Sequence, residues 1–148
     1  MYPFSANIYS LGDATENFQI DHWVRATYIP NPLQTVPLDG HVVSWSIFVK
    51  TPGQVKLQMW RPTAGTMHLL VGENEYHPSK RGPHTFFLDE KDHIHVKMGD
   101  VMGISFTGTC PIPFSGMKCR DRRRSVQFFR EMQAEVGGVY HFQSKPLR

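Results

Sequence analysis

Residues 42–49 read Val42-Val43-Ser44-Trp45-Ser46-Ile47-Phe48-Val49, and residues 54–60 read Gln54-Val55-Lys56-Leu57-Gln58-Met59-Trp60. Apolar side chains recur at every second position, and Pro52-Gly53 separates the two runs. The same alternation returns between Ile94 and Ile104, where Gly99-Asp100 interrupts it. Because successive side chains of a strand point to opposite faces, this period of two predicts half-buried strands joined by turns.

Extended along the chain, the pattern predicts strands at about residues 42–50, 54–60, 66–72, 84–88, 93–98, 101–107, 125–130 and 138–143. Eight or nine short strands with turn signals roughly every ten residues favour an all-β fold, an antiparallel β-sandwich of jelly-roll-like form. Residues 1–40 are rich in proline and predicted to be an irregular segment packed on it, with a strand-like piece at Trp23–Tyr28. Residues 128–135 offer a helical turn ended by Gly137-Gly138.

The 148 residues form one expected domain, 1–148, large enough to bury a core without metal or a disulfide framework. No apolar run approaches the roughly 20 residues that span a bilayer, so no transmembrane segment is predicted. The first ten residues lack the basic start and apolar core of a signal peptide. We therefore expect either an intracellular protein or a module of a longer secreted chain.

Alternation also assigns side chains to faces. The inward set is predicted to comprise Val43, Trp45, Ile47, Val49, Val55, Leu57, Met59, Ile94, Val96, Met98, Met102, Ile104 and Phe106. On the second long strand, Lys56, Gln58 and Trp60 then share the opposite face, which we expect to meet solvent. An aromatic ring in that place is either a lid over a neighbouring strand or a platform for a ligand.

The platform alternative would suit a sugar. β-Sandwiches bind pyranose rings by stacking an exposed aromatic ring on them, while charged or amide groups bind the hydroxyls. Residues of these types are grouped in sequence, and the candidate ligand-binding residues here are Trp60, Arg61, Gln58 and Tyr76.

A second candidate binding feature is a basic cluster. Five cations fall within seven residues, relieved by Asp121: Lys118, Arg120, Arg122, Arg123 and Arg124. Such a cluster attracts phosphates, sulfated glycans or anionic lipid, and the alternative is a solvated loop. Nucleic acid is not an expected partner, because no recognition helix, RNA-binding aromatic motif or zinc finger accompanies the cluster.

The two cysteines flank a loop rich in proline and glycine. Cys110 and Cys119 are close in sequence and are predicted to form a disulfide if the protein matures in an oxidising compartment. The alternative is two free, partly buried thiols. Zinc is not expected, since two cysteines without paired histidines fall short of four ligands.

Eight histidines raise the question of a metal site. His93 and His95 are predicted to share one strand face, and a His-x-His pair holds a metal when a third ligand arrives, here Asp92 or His84. The alternative is a polar strand face exposed to solvent. Because no hydrolase, metalloprotease or phosphate-binding motif is present, the sequence predicts no catalytic residue and no cofactor.

Residues 40–114 resemble a module of invertebrate extracellular and cell-surface proteins. The resemblance depends on Trp45-x-Ile47-Phe48-Val49, Leu57-Gln58-Met59-Trp60-Arg61-Pro62, Leu70-Val71-Gly72, Ile94-x-Val96-x-x-Gly99-Asp100-Val101-x-Gly103-Ile104 and Pro111-Ile112-Pro113-Phe114. It implies a jelly-roll-like sandwich in an adhesive, ligand-binding or matrix setting, and no catalytic residue. The basic cluster and the lack of a signal peptide depart from it.

Three functional hypotheses follow. The first is a non-enzymatic extracellular module that binds a glycan or a protein. The second is a structural or self-assembling matrix or coat protein whose basic loop meets an acidic partner. The third is a metal-dependent enzyme that uses its histidines.

Overall fold

The computed structural model describes residues 25–29, 34–107, 126–130 and 134–146. Strands dominate these residues, and a short 3-10 helix lies at Glu90–Asp92. The strands are β1 Arg25–Ile29, β2 Gly40–Val42, β3 Ser44–Val49, β4 Val55–Pro62, β5 Met67–Tyr76, β6 Gly82–Phe87, β7 Ile94–Val96, β8 Val101–Thr107, β9 Val126–Arg130, β10 Val139–His141 and β11 Gln143–Pro146. All pairings between them are antiparallel, which confirms the all-β prediction.

Among the described residues the strands form one large sheet and two small ones. The large sheet has the order β10-β5-β4-β8-β1-β9-β11, and the small sheets are β2-β7 and β3-β6. The predicted strand at residues 42–50 corresponds to β3, and its first residue, Val42, is instead the last residue of β2, which has a different partner. The helical turn predicted from residue 128 is wrong as far as Arg130, because these residues belong to β9.

The main core lies between the large sheet and the two small sheets. Its buried members come from both layers and include eight of the residues predicted to face inward: Trp45, Ile47, Val55, Leu57, Ile94, Val96, Ile104 and Phe106. Val49 and Met59 are buried with them, and Met102 packs against them half-buried. This layered arrangement confirms the β-sandwich, whereas its jelly-roll form stays a prediction.

Two residues predicted to face inward are exposed. Val43 is 42% exposed because it lies between β2 and β3, where the chain leaves one small sheet for the other. Met98 is 69% exposed because β7 ends at Val96 and the chain then turns, with the Asp100 N–H bonded to the Lys97 carbonyl. Gly99 has a φ of 97° in this turn, which favours glycine.

The large sheet curls until its two ends meet. β10 pairs with β5 at one end, β11 pairs with β9 at the other, and Phe142 alone separates β10 from β11. A single residue spans at most about 7 Å between its neighbours, so the first and last strands of the order are adjacent here. The segment 139–146 thus closes the sheet, which gives the sheet an enclosed inner face.

A second buried cluster occupies this inner face. It contains Ile29, Trp60, Leu70, Val101, Ala134 and Phe142. Trp60 and Phe142 meet edge to face, with ring centroids 4.8 Å apart. Because the cluster draws on β1, β4, β5, β8 and the closing segment, it stabilises the curled form of the sheet as a whole.

The fold places a histidine inside the closed sheet. His68 on β5 is 1% exposed, its ring meets that of Phe142, and its Nδ1–H donates to the Thr66 carbonyl at 3.0 Å. Burial lowers the pKa of His68, because it disfavours the charged imidazolium. The folded protein therefore holds this ring neutral at pH values where the unfolded chain protonates it.

We expect His68 to make the fold acid-sensitive. Below about pH 6.5 the unfolded state binds a proton that folded His68 resists, so the free energy of unfolding should fall by up to about 1.4 kcal/mol per pH unit. Urea unfolding of the wild type and of His68→Asn between pH 5 and pH 8 measures this. Asparagine keeps a donor for Thr66 but does not titrate, so the two curves should diverge below pH 6.5. Parallel curves would contradict the prediction.

Candidate functional site

An open groove of about 820 Å³ lies where the small sheet β2-β7 meets β5 of the large sheet. Its walls mix apolar side chains with groups of both charges. The charged and hydrogen-bonding members are Asp39, His41, Arg61, Glu73, Asn74, Lys91, Asp92, His93, His95 and Lys97, and the apolar side chains are Val71, Ile94, Val96 and Val136. We call this the histidine groove, because three imidazoles lie together in it.

Glycine at position 72 allows β7 to lie close against β5. A Cβ atom at this position would lie 2.7 Å from Cγ2 of Ile94, which is nearer than real Cβ atoms approach. Ile94 in turn is buried in the main core. The close approach fixes the floor of the groove at the point where the two layers touch.

Asn74 fixes one wall of the groove. Its Nδ2 donates to the Asp92 carbonyl at 3.0 Å, and its Oδ1 accepts a hydrogen bond from Trp45 Nε1 at 2.9 Å. One side chain on β5 therefore connects the 3-10 helix with β3. The segment that carries Lys91, Asp92 and His93 is positioned before any ligand arrives.

The three histidines meet across β2 and the start of β7. His41 and His95 are paired residues in the antiparallel register, and His41 Nε2 lies 3.0 Å from His95 Nδ1. The His41 ring centroid is 4.2 Å from that of His95 and 6.2 Å from that of His93. His93 Nε2–H donates to the Leu88 carbonyl at 3.1 Å. The His41–His95 bond needs one nitrogen that donates and one that accepts.

Arg61 lies at the end of β4 and forms an ion pair with Asp100. Its Nε and Nη2 donate to the two carboxylate oxygens at 2.9 and 3.0 Å. The hydrogen bond with Asp100 raises the pKa of Arg61. Asp100 is 1% exposed and also accepts the Lys97 N–H at 2.8 Å. The pair thus fixes the turn that carries Lys97 at the groove rim.

Two groove carboxylates also have protein partners. Glu73 accepts a hydrogen bond from Gln58 at 3.0 Å and lies 3.6 Å from Lys56 Nζ. Asp39 accepts the Met98 N–H at 2.8 Å. These contacts orient the acidic side chains and offset part of their charge.

The structure separates the residues that the sequence grouped as a sugar site. Trp60 and Gln58 are wrong as solvent-facing residues, because both are 0% exposed and Trp60 belongs to the second buried cluster. Trp60 Nε1 donates to Gln58 Oε1 at 3.1 Å. A ring so buried cannot stack on a pyranose. Arg61 does line a groove, whereas Tyr76 stacks on Phe86 with ring centroids 4.3 Å apart.

Several predicted residues lie outside the described residues. They are Lys118, Arg120, Arg122, Arg123 and Arg124 of the basic cluster, and the two cysteines of the predicted disulfide, Cys110 and Cys119. The disulfide and the basic binding loop therefore stay predictions.

The predicted metal ligands are brought together in part. His93, His95 and Asp92 line the same groove, but His84 lies on β6 with its Nε2 on the Lys80 carbonyl. Within the described part of the chain, no group of three histidine, cysteine or acidic residues is arranged to hold a metal ion.

The sequence argument missed His41, which pairs with His95. The signal was present, since His41 precedes an apolar strand, but its partner strand is more than fifty residues away along the chain. Pairing over that distance is set by packing and not by local pattern.

Comparison of the chain with protein-family models, with curated proteins and with solved structures finds no match in any of the three. In the described residues, no helix is long and apolar enough to cross a membrane. The case for a function therefore depends on the geometry of the histidine groove.

Proposed function

We propose that the protein is a non-enzymatic binding module, acting outside the cell, that takes a glycan into the histidine groove. The observation that carries the proposal is the wall of the groove, where amide, carboxylate, ammonium and imidazole groups surround a volume of about 820 Å³. Sugar hydroxyls both donate and accept hydrogen bonds, so they suit a wall that offers both kinds of group. The volume lies within the range typical of small-ligand sites.

The rigidity of the wall supports binding. Asn74, Asp39 and Asp100 hold their segments through hydrogen bonds within the protein. A wall ordered in advance loses little conformational entropy when a ligand arrives, which favours affinity. Apolar side chains such as Val71 and Val136 complete the wall and suit the apolar faces of a pyranose ring, which are formed by its C–H groups.

The extracellular setting is the part of the proposal that follows from the resemblance predicted from the sequence of residues 40–114. The proposed role is binding alone, in which the His41–His95 bond and the bond from His93 to the Leu88 carbonyl hold the imidazoles in place in the groove wall.

A glycan array probed with the labelled protein at pH 5.5 and pH 7.5 tests the proposal. We expect at least one glycan class to bind, and replacement of Lys91 with alanine to weaken its binding by about tenfold, the loss expected for one hydrogen bond of roughly 1.4 kcal/mol. Lys80→Ala is the matched control, because Lys80 lies outside the groove. No binding at either pH, or equal loss in the control, would refute the proposal.

A further inference from the structure

The three imidazoles of the histidine groove form one contiguous cluster. Imidazole is the side chain whose ordinary titration falls between pH 5 and pH 8. His41 and His95 are exposed, and His93 is half-buried beside them. The cluster therefore meets solvent and any ligand directly.

The other charges that face the cluster nearly cancel. From β4, Arg61 is paired with Asp100, and from β5, Glu73 is beside Lys56. Asp39 precedes β2, Lys91 and Asp92 lie in the 3-10 helix, and Lys97 follows β7. These last four comprise two cations and two carboxylates. The protonation of the imidazoles therefore sets the sign of the net charge in the groove.

The His41–His95 hydrogen bond provides a structural reason for coupling. At 3.0 Å one of the two nitrogens must offer a lone pair. When both rings are protonated, all four ring nitrogens donate, and two cations then lie in contact. An anionic acceptor relieves this repulsion by accepting hydrogen bonds from both rings.

Building on the proposed glycan-binding function, we infer that the histidine groove selects acidic saccharides, those that carry carboxylate or sulfate, and binds them in mildly acidic solution through His41, His93 and His95. While the three imidazoles are neutral, the charges of the groove nearly cancel and the His41–His95 bond is intact. Once they are protonated, the groove is cationic and a ligand anion takes the place of that bond.

Titration calorimetry at pH 5.5 and pH 7.5 tests this inference. The probes are a hyaluronan hexasaccharide, which carries carboxylates alone, a heparin hexasaccharide, which adds sulfates, and neutral chitohexaose. We use a chain with Arg122, Arg123 and Arg124 replaced by alanine, because arginine stays charged across this range and would bind anions independently of pH. We expect at least one acidic probe to bind about tenfold or more tightly at pH 5.5, and chitohexaose to show no such gain.

The variants His41→Gln and His95→Asn should each remove most of the gain. Both amides preserve a hydrogen-bonding group near the original nitrogen, and both positions are exposed, so the fold should persist. His77→Gln is the matched control, since His77 is exposed and bonds to Glu75 away from the groove. The control should retain the full pH dependence.

The remaining outcomes are distinguishable. Equal affinity for the acidic probes at both pH values would overturn the inference and leave glycan binding in place. The same conclusion would follow if chitohexaose bound as tightly as the acidic probes and with the same pH dependence. No binding of any probe, with an empty glycan array, would remove the proposed function together with the inference. Loss of the circular dichroism spectrum at pH 5.5 would also overturn the inference, because no folded acidic groove would then exist.

Discussion

Replacing Trp60 with alanine should lower the free energy of unfolding by about 3–5 kcal/mol, the range for truncating a large buried aromatic side chain. Trp60 is 0% exposed and meets the rings of Phe142 and Tyr140 inside the closed sheet. Alanine would leave a cavity at the point where β4, β5 and the closing segment converge. Guanidinium unfolding followed by circular dichroism measures the loss.

Two further variants sharpen this experiment. Trp60→Phe keeps a ring but deprives Gln58 Oε1 of its donor, so it should cost less, about 1–3 kcal/mol. Phe87→Ala is the control, because Phe87 is 80% exposed and its loss should change stability by no more than about 0.5 kcal/mol. If Trp60→Ala costs no more than Phe87→Ala, the ring does not lie inside the closed sheet.

The second large effect is expected at Asp100. Asp100→Ala should lower the free energy of unfolding by about 3 kcal/mol, because it removes a buried carboxylate and leaves the Arg61 guanidinium without its partner. It also leaves the Lys97 N–H without its acceptor. Equilibrium urea unfolding at pH 7 measures the change.

Asp39→Ala is the matched control for Asp100. It removes one exposed carboxylate that accepts a single main-chain N–H, so it should cost about 1 kcal/mol or less. Asp100→Asn should fall between the two, since an amide still accepts one hydrogen bond. Equal costs for Asp100→Ala and Asp39→Ala would show that burial of the ion pair adds nothing.

Alternation in the sequence was sufficient to predict the main core. Trp45, Ile47, Leu57 and Ile104 are buried as predicted, because the face between two layers excludes water from every second residue of a strand. The rule failed at Val43, one residue before the start of β3, and at Met98, two residues after the end of β7. Such strand boundaries are set by turns and by the places where the chain leaves one partner strand for another.

The other face of β4 could not be predicted from the same pattern. In a flat sheet Gln58 and Trp60 would meet solvent, but both are 0% exposed, and Tyr140 and Phe142 of the segment 139–146 pack on Trp60. Gln58 remains satisfied there through Glu73 and Trp60. Closure of the sheet depends on pairing between residues that are distant in sequence, and the alternation pattern within one strand does not reveal such pairing.

The candidate site was predictable only in part. The sequence grouped His93 with His95 and singled out Arg61, all of which line the histidine groove. The sequence did not predict His41 or Asn74 as members of the site. These residues lie on β2 and β5, and the positions of those strands beside β7 follow from packing at Gly72.

The closing segment also determines when the sheet can be completed. β1 lies between β8 and β9, and the segment 139–146 joins Leu69 on one side with Phe129 on the other. During synthesis on the ribosome the long strands β4 and β5 emerge well before these partners, so β5 keeps an unpaired edge meanwhile. Pairings of such large sequence separation slow folding and expose edges to other chains. We therefore expect folding intermediates of this protein to be more prone to aggregation than the native state, and to depend on chaperones until residue 146 has left the ribosome.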